Sequence, residues 1–125
     1  MAIRCGVDII EIDRIKKSLD ELESFRNRVF TENEIEYCEN RNRAKYESYA
    51  ARFAAKEAVL KALGTGLSEG TQWKHIEITN DARGKPYVTL SHRALELFNE
   101  MSAKTIDISI SHCSSYAVAY VVIDI

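Results

Sequence analysis

The chain has 125 residues, 46% of them hydrophobic and 29% charged, and its 17 Lys and Arg against 19 Asp and Glu leave a formal net charge of −2. That length and balance predict one globular domain over residues 1–125, with chain enough for its own core. They exclude a general nucleic-acid binder, which needs a basic excess to displace counterions.

No apolar stretch approaches the roughly 20 residues that cross a bilayer, and no secretory cleavage pattern follows residues 3–10. Cys5, Cys38 and Cys113 are odd in number and widely spaced, which argues against a disulfide framework or a structural zinc site. The expected address is a reducing cytoplasm, with no membrane partner.

Ile3, Cys5, Val7 and Ile9 alternate with Arg4, Gly6, Asp8 and Ile10, a period of two that predicts a first strand. Ile12, Ile15, Leu19 and Leu22 then recur at helical spacing. Thr31 and Glu34 have capping-box form and open a second, short helix. The longest helical stretch is Tyr46 to Leu63, stopped by Gly64 and Gly66. Beyond it, Ile76 to Thr79 and Tyr87 to Leu90 flank a long polar turn from Asn80 to Pro86, which predicts a hairpin. Ser91 caps a helix carrying Leu95, Phe98 and Met101. Ile106, Ile108 and Ile110 alternate with Asp107, Ser109 and Ser111, and after a turn at Ser114 and Ser115 a return strand runs from Ala117 to Ile123. The predicted fold is α+β: a single compact domain in which an antiparallel sheet packs with a long central helix.

The chemistry concentrates on that helix. At about 100° per residue, Tyr49, Phe53, Leu60 and Leu63 fall in one core-facing stripe, with Lys56 in its middle. Much of the remaining surface is alanine, yet Arg52, Glu57 and Lys61 also sit there. One reading is a solvated face with a Glu57–Lys61 pair at i, i+4, worth only about 0.3–0.5 kcal/mol. The other is a site for a polyphosphate and a metal, favoured by Lys56, because a lysine in an apolar stripe must snorkel or meet an anion. Asp8 lies on the strand face opposite Ile3, Cys5, Val7 and Ile9, two residues after Gly6, whose missing side chain admits a ligand or another segment. Asp8 is either solvent-facing, a helix cap, or a second carboxylate for Mg²⁺, a cation that takes a few carboxylates plus water and phosphate oxygens.

Gly6-Val7-Asp8, followed by the run from Arg52 to Gly66 with Lys56, Glu57, Ala58 and Lys61 at its centre, resembles the two-part signature of the phosphopantetheinyl transferases. Gly84-Lys85-Pro86 and Ser109 to His112 with Ala117 extend the resemblance to the short, free-standing bacterial holo-acyl-carrier-protein synthases, from about Ile3 to Val122. The resemblance implies a transfer of phosphopantetheine from coenzyme A to a serine of an acyl carrier protein. It implies Asp8 and Glu57 as magnesium ligands, with the metal bridging the pyrophosphate of coenzyme A. Asp8, Glu57 and Lys61 would be catalytic, Lys61 by neutralising phosphate charge. Arg52 and Lys56 would line the same anionic ligand, Gly64 and Gly66 would offer close-approach backbone, Lys85 and Pro86 would border the nucleotide, and His112 would meet phosphate or the serine region. It further implies a homotrimer with active sites at subunit interfaces, and Arg14, exposed beside Lys17, as a docking residue for the carrier.

The proton acceptor stays open between Glu57 and an ordered water. Glu34 either orients that water or only completes the Thr31 capping box. Two other functions use the same residues: another magnesium phosphotransferase or nucleotide pyrophosphatase, and a non-catalytic coenzyme A-binding module. A P-loop kinase is excluded, because its Gly-rich loop is missing.

Overall fold

A computed structural model describes residues 2–125. Strand β1 (Ile3–Glu11) pairs antiparallel along its whole length with β5 (Tyr116–Asp124), and β5 pairs antiparallel with β4 (Thr105–His112), giving a sheet of order β1-β5-β4. A separate hairpin joins β2 (Ile76–Asn80) to β3 (Pro86–Leu90). Helices α1 (Ile12–Glu21), α2 (Glu23–Val29) and α3 (Glu32–Glu39) precede the long α4 (Lys45–Leu63), and α5 (His92–Glu100) links the hairpin to β4. The α+β class and the central helix match the sequence reading. Among the described residues no helix is long and apolar enough to cross a membrane.

Helix α4 lies against the three-stranded sheet because its surface lets it. Ala50, Ala51, Ala54, Ala55, Ala58 and Ala62 are all buried, and such small side chains keep the helix backbone close to the strands. The closest approach is at Gly6. A methyl group there would overlap the carbonyl oxygen of Ala58 and stand 3.0 Å from the amide nitrogen of Ala62, so β1 touches α4 backbone to backbone. Gly64 ends the helix in the left-handed region at φ 85°, its amide bonded to the carbonyls of Leu60 and Lys61.

Two local expectations need correction, at Leu22 and at the Ser91 cap, and the structure adds which faces of β1 and α5 are covered. The alternation in β1 is present, but the more apolar set faces away from α4: Ile3 is 58%, Val7 51% and Ile9 63% exposed, while Gly6 and Ile10 are buried. Their neighbours Tyr116 and Tyr120 on β5 are also exposed, so one face of the sheet is an uncovered apolar surface. The first helix stops at Glu21 instead of including Leu22, which is extended (φ −124°, ψ 92°) and exposed; α2 then buries Phe25 and Val29. Ser91 holds the N-cap position of α5, but its hydroxyl bonds the carbonyl of His75 instead of a helix amide. Helix α5 buries Ala94 and Leu97, leaving Leu95 exposed and Phe98 and Met101 half-buried. Thr31 and Glu34 do form the predicted capping box at α3.

Candidate active site

The contact at Gly6 decides where Asp8 goes. Two residues further along β1, Asp8 is on the same sheet face and is carried against the C-terminal half of α4. There Lys61 donates to the Asp8 carboxylate at 3.1 Å and to the Val7 carbonyl at 2.9 Å. Lys61 therefore bridges helix to strand; the i, i+4 pairing with Glu57 considered from the sequence is replaced by this tertiary one.

Glu57 is half-buried beside the same pair. Burial first, and the Asp8 charge second, push its carboxyl above the ordinary range, against the opposing pull of Lys61 and Arg14. Arg14 is exposed on α1 yet close enough to be felt by Glu57, which puts it at the rim. Asp8, Glu57, Lys61 and Arg14 are thus one cluster, two carboxylates and two cations at the seam of β1, α1 and α4.

Arg52, Pro86 and His112 gather at a second place, toward the N-terminal half of α4. They line a cavity of about 280 Å³ together with Tyr37, Arg41 and Glu47. Arg52 is almost fully enclosed. Its guanidinium donates to Asn80 Oδ1 at 2.6 Å and stacks on the Tyr37 ring at 4.1 Å, while its Nε has no partner. A guanidinium that forms part of a cavity wall suits an anion, with the Nε itself enclosed behind it. His112 lies 3.9 Å from a Glu47 carboxylate oxygen. Arg41 and Tyr37 were not singled out in the sequence; the signal was there in Arg41, Arg43 and Lys45, three basic residues within five positions that lead into α4 and include its first residue.

The other expected residues divide. Gly64 and Gly66 are both at positive φ, 85° and 59°, with nothing within 4 Å of where a side chain would stand, so their backbone is open to a ligand. Gly84 and Pro86 line the cavity, but Lys85 between them pairs with Asp107 on β4 at 3.0 Å.

Lys56 is a correction. Its ammonium is fully buried, 2.7 Å from Glu34, and donates to the carbonyls of Val29, Ile76 and Trp73 at 2.9, 2.7 and 3.2 Å. It lines no ligand, because every proton already has a protein acceptor. Glu34 is equally enclosed and accepts from the amides of Thr31 and Ile78 at 2.9 Å each, so it neither orients a water at the cluster nor serves only as a cap.

Residues 4–121 match the profile of the 4′-phosphopantetheinyl transferase superfamily. The chain belongs to that superfamily. Within it, the chain is 52% identical to the holo-[acyl-carrier-protein] synthase of Ruminiclostridium cellulolyticum, covering 100% of this chain and 94% of that protein. It is 50% identical to the enzyme of the same name from Protochlamydia amoebophila, over 98% of each. Among solved structures it resembles the Helicobacter pylori holo-[acyl-carrier-protein] synthase in complex with coenzyme A, with a TM-score of 0.84 and 32% identity over 96% of this chain and 99% of that one. It also resembles the Bacillus anthracis synthase in complex with CoA (3′,5′-ADP), with a TM-score of 0.79 and 39% identity over 98% and 97% of the two chains.

The electrostatics of the cluster give a prediction. A carboxyl whose folded-state pKa is raised weakens the fold once it ionises; the penalty is absent below the ordinary value of 4.5 and complete above the raised one. Glu57→Gln should therefore gain stability over the parent at about pH 7 without divalent cations, and the gain should vanish as pH falls to about 4. Urea unfolding at the two pH values measures this. An equal difference at both would mean that neither burial nor the Asp8 charge raises the Glu57 carboxyl.

Proposed function

We infer that the chain transfers the phosphopantetheine moiety of coenzyme A to a serine hydroxyl of an apo acyl carrier protein, releasing adenosine 3′,5′-bisphosphate. The carrying observation is the cluster itself: Asp8, Glu57 and Lys61, from a strand and a helix distant in sequence, brought together by a chain similar to synthases solved with coenzyme A.

Mg²⁺ fits the donor set. Two half-buried, mutually repelling carboxylates offer hard oxygens on one side only, which suits a cation that keeps water and phosphate oxygens as its other ligands. Asp8 and Glu57 would hold it, and when bound it would neutralise pyrophosphate charge. Lys61 lies against Asp8 and adds a cation where charge grows on the phosphoryl oxygens. The serine oxygen attacks the phosphorus bearing pantetheine, the bond to the bisphosphate breaks, and the serine proton passes to Glu57 or to a water. What the residues supply is alignment and charge neutralisation.

The cavity beside Arg52 and His112 is assigned to the nucleotide end, with Pro86 against the base and the open backbone of Gly64 and Gly66 beside the ligand. Arg14, exposed at the rim, is assigned to an acidic carrier surface, where charge acts chiefly on the association rate. A cytoplasmic setting accords with three free cysteines.

The assembly proposed is a homotrimer. The uncovered face carrying Ile3, Val7, Ile9, Tyr116 and Tyr120 supports it, since contiguous apolar surface of this kind marks an interface. Within one chain His112 is two strands across and two residues along from Asp8, about 12 Å at ordinary strand spacing and rise. A neighbour's final strands would bring a second His112 to the carboxylate cluster.

Intact-mass measurement of an apo carrier incubated with coenzyme A, Mg²⁺ and this protein tests the reaction. The expected outcome is a gain of one phosphopantetheine, lost in Asp8→Ala and in Glu57→Ala while both variants stay folded. Bisphosphate release without a carrier would point to a pyrophosphatase instead, and near-parental turnover in either variant would overturn the site. Light scattering tests the assembly: a trimer is expected, and a fully active monomer would contradict it.

A further inference from the structure

The most enclosed charges among the described residues, Glu34 and Lys56, touch none of the groups assigned to the reaction. Removing two ions from water carries a large desolvation cost, and a well-packed apolar pair of similar volume is often as stable or more so. What this pair has that an apolar one would lack is its set of directed hydrogen bonds to the backbone. Their hydrogen bonds join four segments. Lys56 ties α4 to the end of α2 at Val29 and to Trp73 and Ile76 before and at the start of β2. Glu34 ties α3 to β2 at Ile78 and closes the cap at Thr31.

We propose that the Glu34–Lys56 pair is a positioning device that fixes the rotation and axial register of α4, so that Glu57 and Lys61 stand opposite Asp8. The reason lies in the helix surface. The face of α4 against the sheet is built from alanines. Small side chains give shallow ridges and grooves, so packing alone defines rotation and register weakly. Directed bonds of 2.7 and 2.9 Å from one ammonium to three segments admit a single helix position. Lys56 is adjacent to Glu57 in sequence, and a slip of one residue would turn the helix by about 100° and shift it by about 1.5 Å. A carboxylate ligand of Mg²⁺ tolerates little of that, because the cation demands near-ideal octahedral geometry. The metal part of this proposal rests on Asp8 and Glu57 sharing a cation, as inferred above. The positional part does not.

The experiment uses the double variant Glu34→Leu/Lys56→Met, which replaces the pair by apolar side chains. Urea unfolding should show a loss of stability, because the amides of Thr31 and Ile78 and the carbonyls of Val29, Trp73 and Ile76 lose their partners. That measured loss is the baseline for the other two readings. In the folded variant, calorimetric titration of Mg²⁺ into protein saturated with 3′,5′-adenosine bisphosphate should show a dissociation constant raised about tenfold or more, the size of effect seen when groups supporting metal ligands are removed. In metal-free buffer, amide exchange along α4 should be about tenfold faster than in the parent beyond the factor that the measured loss of global stability accounts for. Parent-like affinity, with exchange no faster than that loss accounts for, in a folded double variant would overturn the proposal. If only the parent's own Mg²⁺ binding proves absent, the metal reading falls and the exchange arm still decides the positional claim. Should the double variant not fold, Glu34→Asp decides: it keeps the charge but withdraws it by one methylene, and unchanged exchange along α4 would overturn the proposal.

Discussion

The contact that the rest of the molecule depends on is the one between the backbone of β1 at Gly6 and the backbone of α4 at Ala58 and Ala62. Any side chain at position 6 would hold strand and helix apart, because the atoms it would meet are main-chain atoms that have nowhere to move. The alanines along α4 extend the same closeness to both sides. Asp8 follows two residues later, on the same face of the strand. Its meeting with Glu57 and Lys61 is thus a consequence of how near the two elements lie. A site for a small, highly charged cation needs carboxylates from separate elements within a few ångströms, and a Gly-against-Ala interface is the simplest way to supply them.

Such an interface has low relief, and polar groups supply what packing lacks. The buried Glu34–Lys56 pair anchors one side of α4, and the Lys61 bridge to Asp8 and to the Val7 carbonyl anchors the other. Tyr49, enclosed in the core, keeps its hydroxyl satisfied by donating to Glu39 at 2.6 Å. Glu39 in turn lies 3.4 Å from Lys45 and 3.7 Å from Arg26, which links α2, α3 and the start of α4. The helix that carries the chemistry is held by directed bonds along its length, and the cavity walled by Arg52 is held the same way through Tyr37 and Asn80.

Much of this could be read from the residues. The period of two in β1, the capping box at Thr31 and the glycine stop at Gly64 are local features, and they appear where local chemistry puts them. Asp8, Glu57 and Lys61 were legible as a set only through the paired signature, since each alone has an ordinary surface explanation. Lys56 was misread for an instructive reason. The wheel placed it in the core stripe correctly, but its partner Glu34 lies 22 positions earlier and already had a sufficient local role in the cap. The break at Leu22 carries no glycine or proline to announce it. The outward face of β1 was ambiguous because the inner face, with Gly6 and Asp8, is the less apolar of the two.

The central claim is that Asp8 and Glu57, brought together at this interface, act as one cation site. A double-mutant cycle on Mg²⁺ affinity, titrated calorimetrically in the presence of 3′,5′-adenosine bisphosphate, tests it most directly. Asp8→Asn and Glu57→Gln remove one charge each, and the double variant removes both. If the carboxylates share a cation, either single change should abolish nearly all the affinity that the pair provides, and the double variant should lose little more. Losses that simply add would mean two independent carboxylates and would contradict the claim.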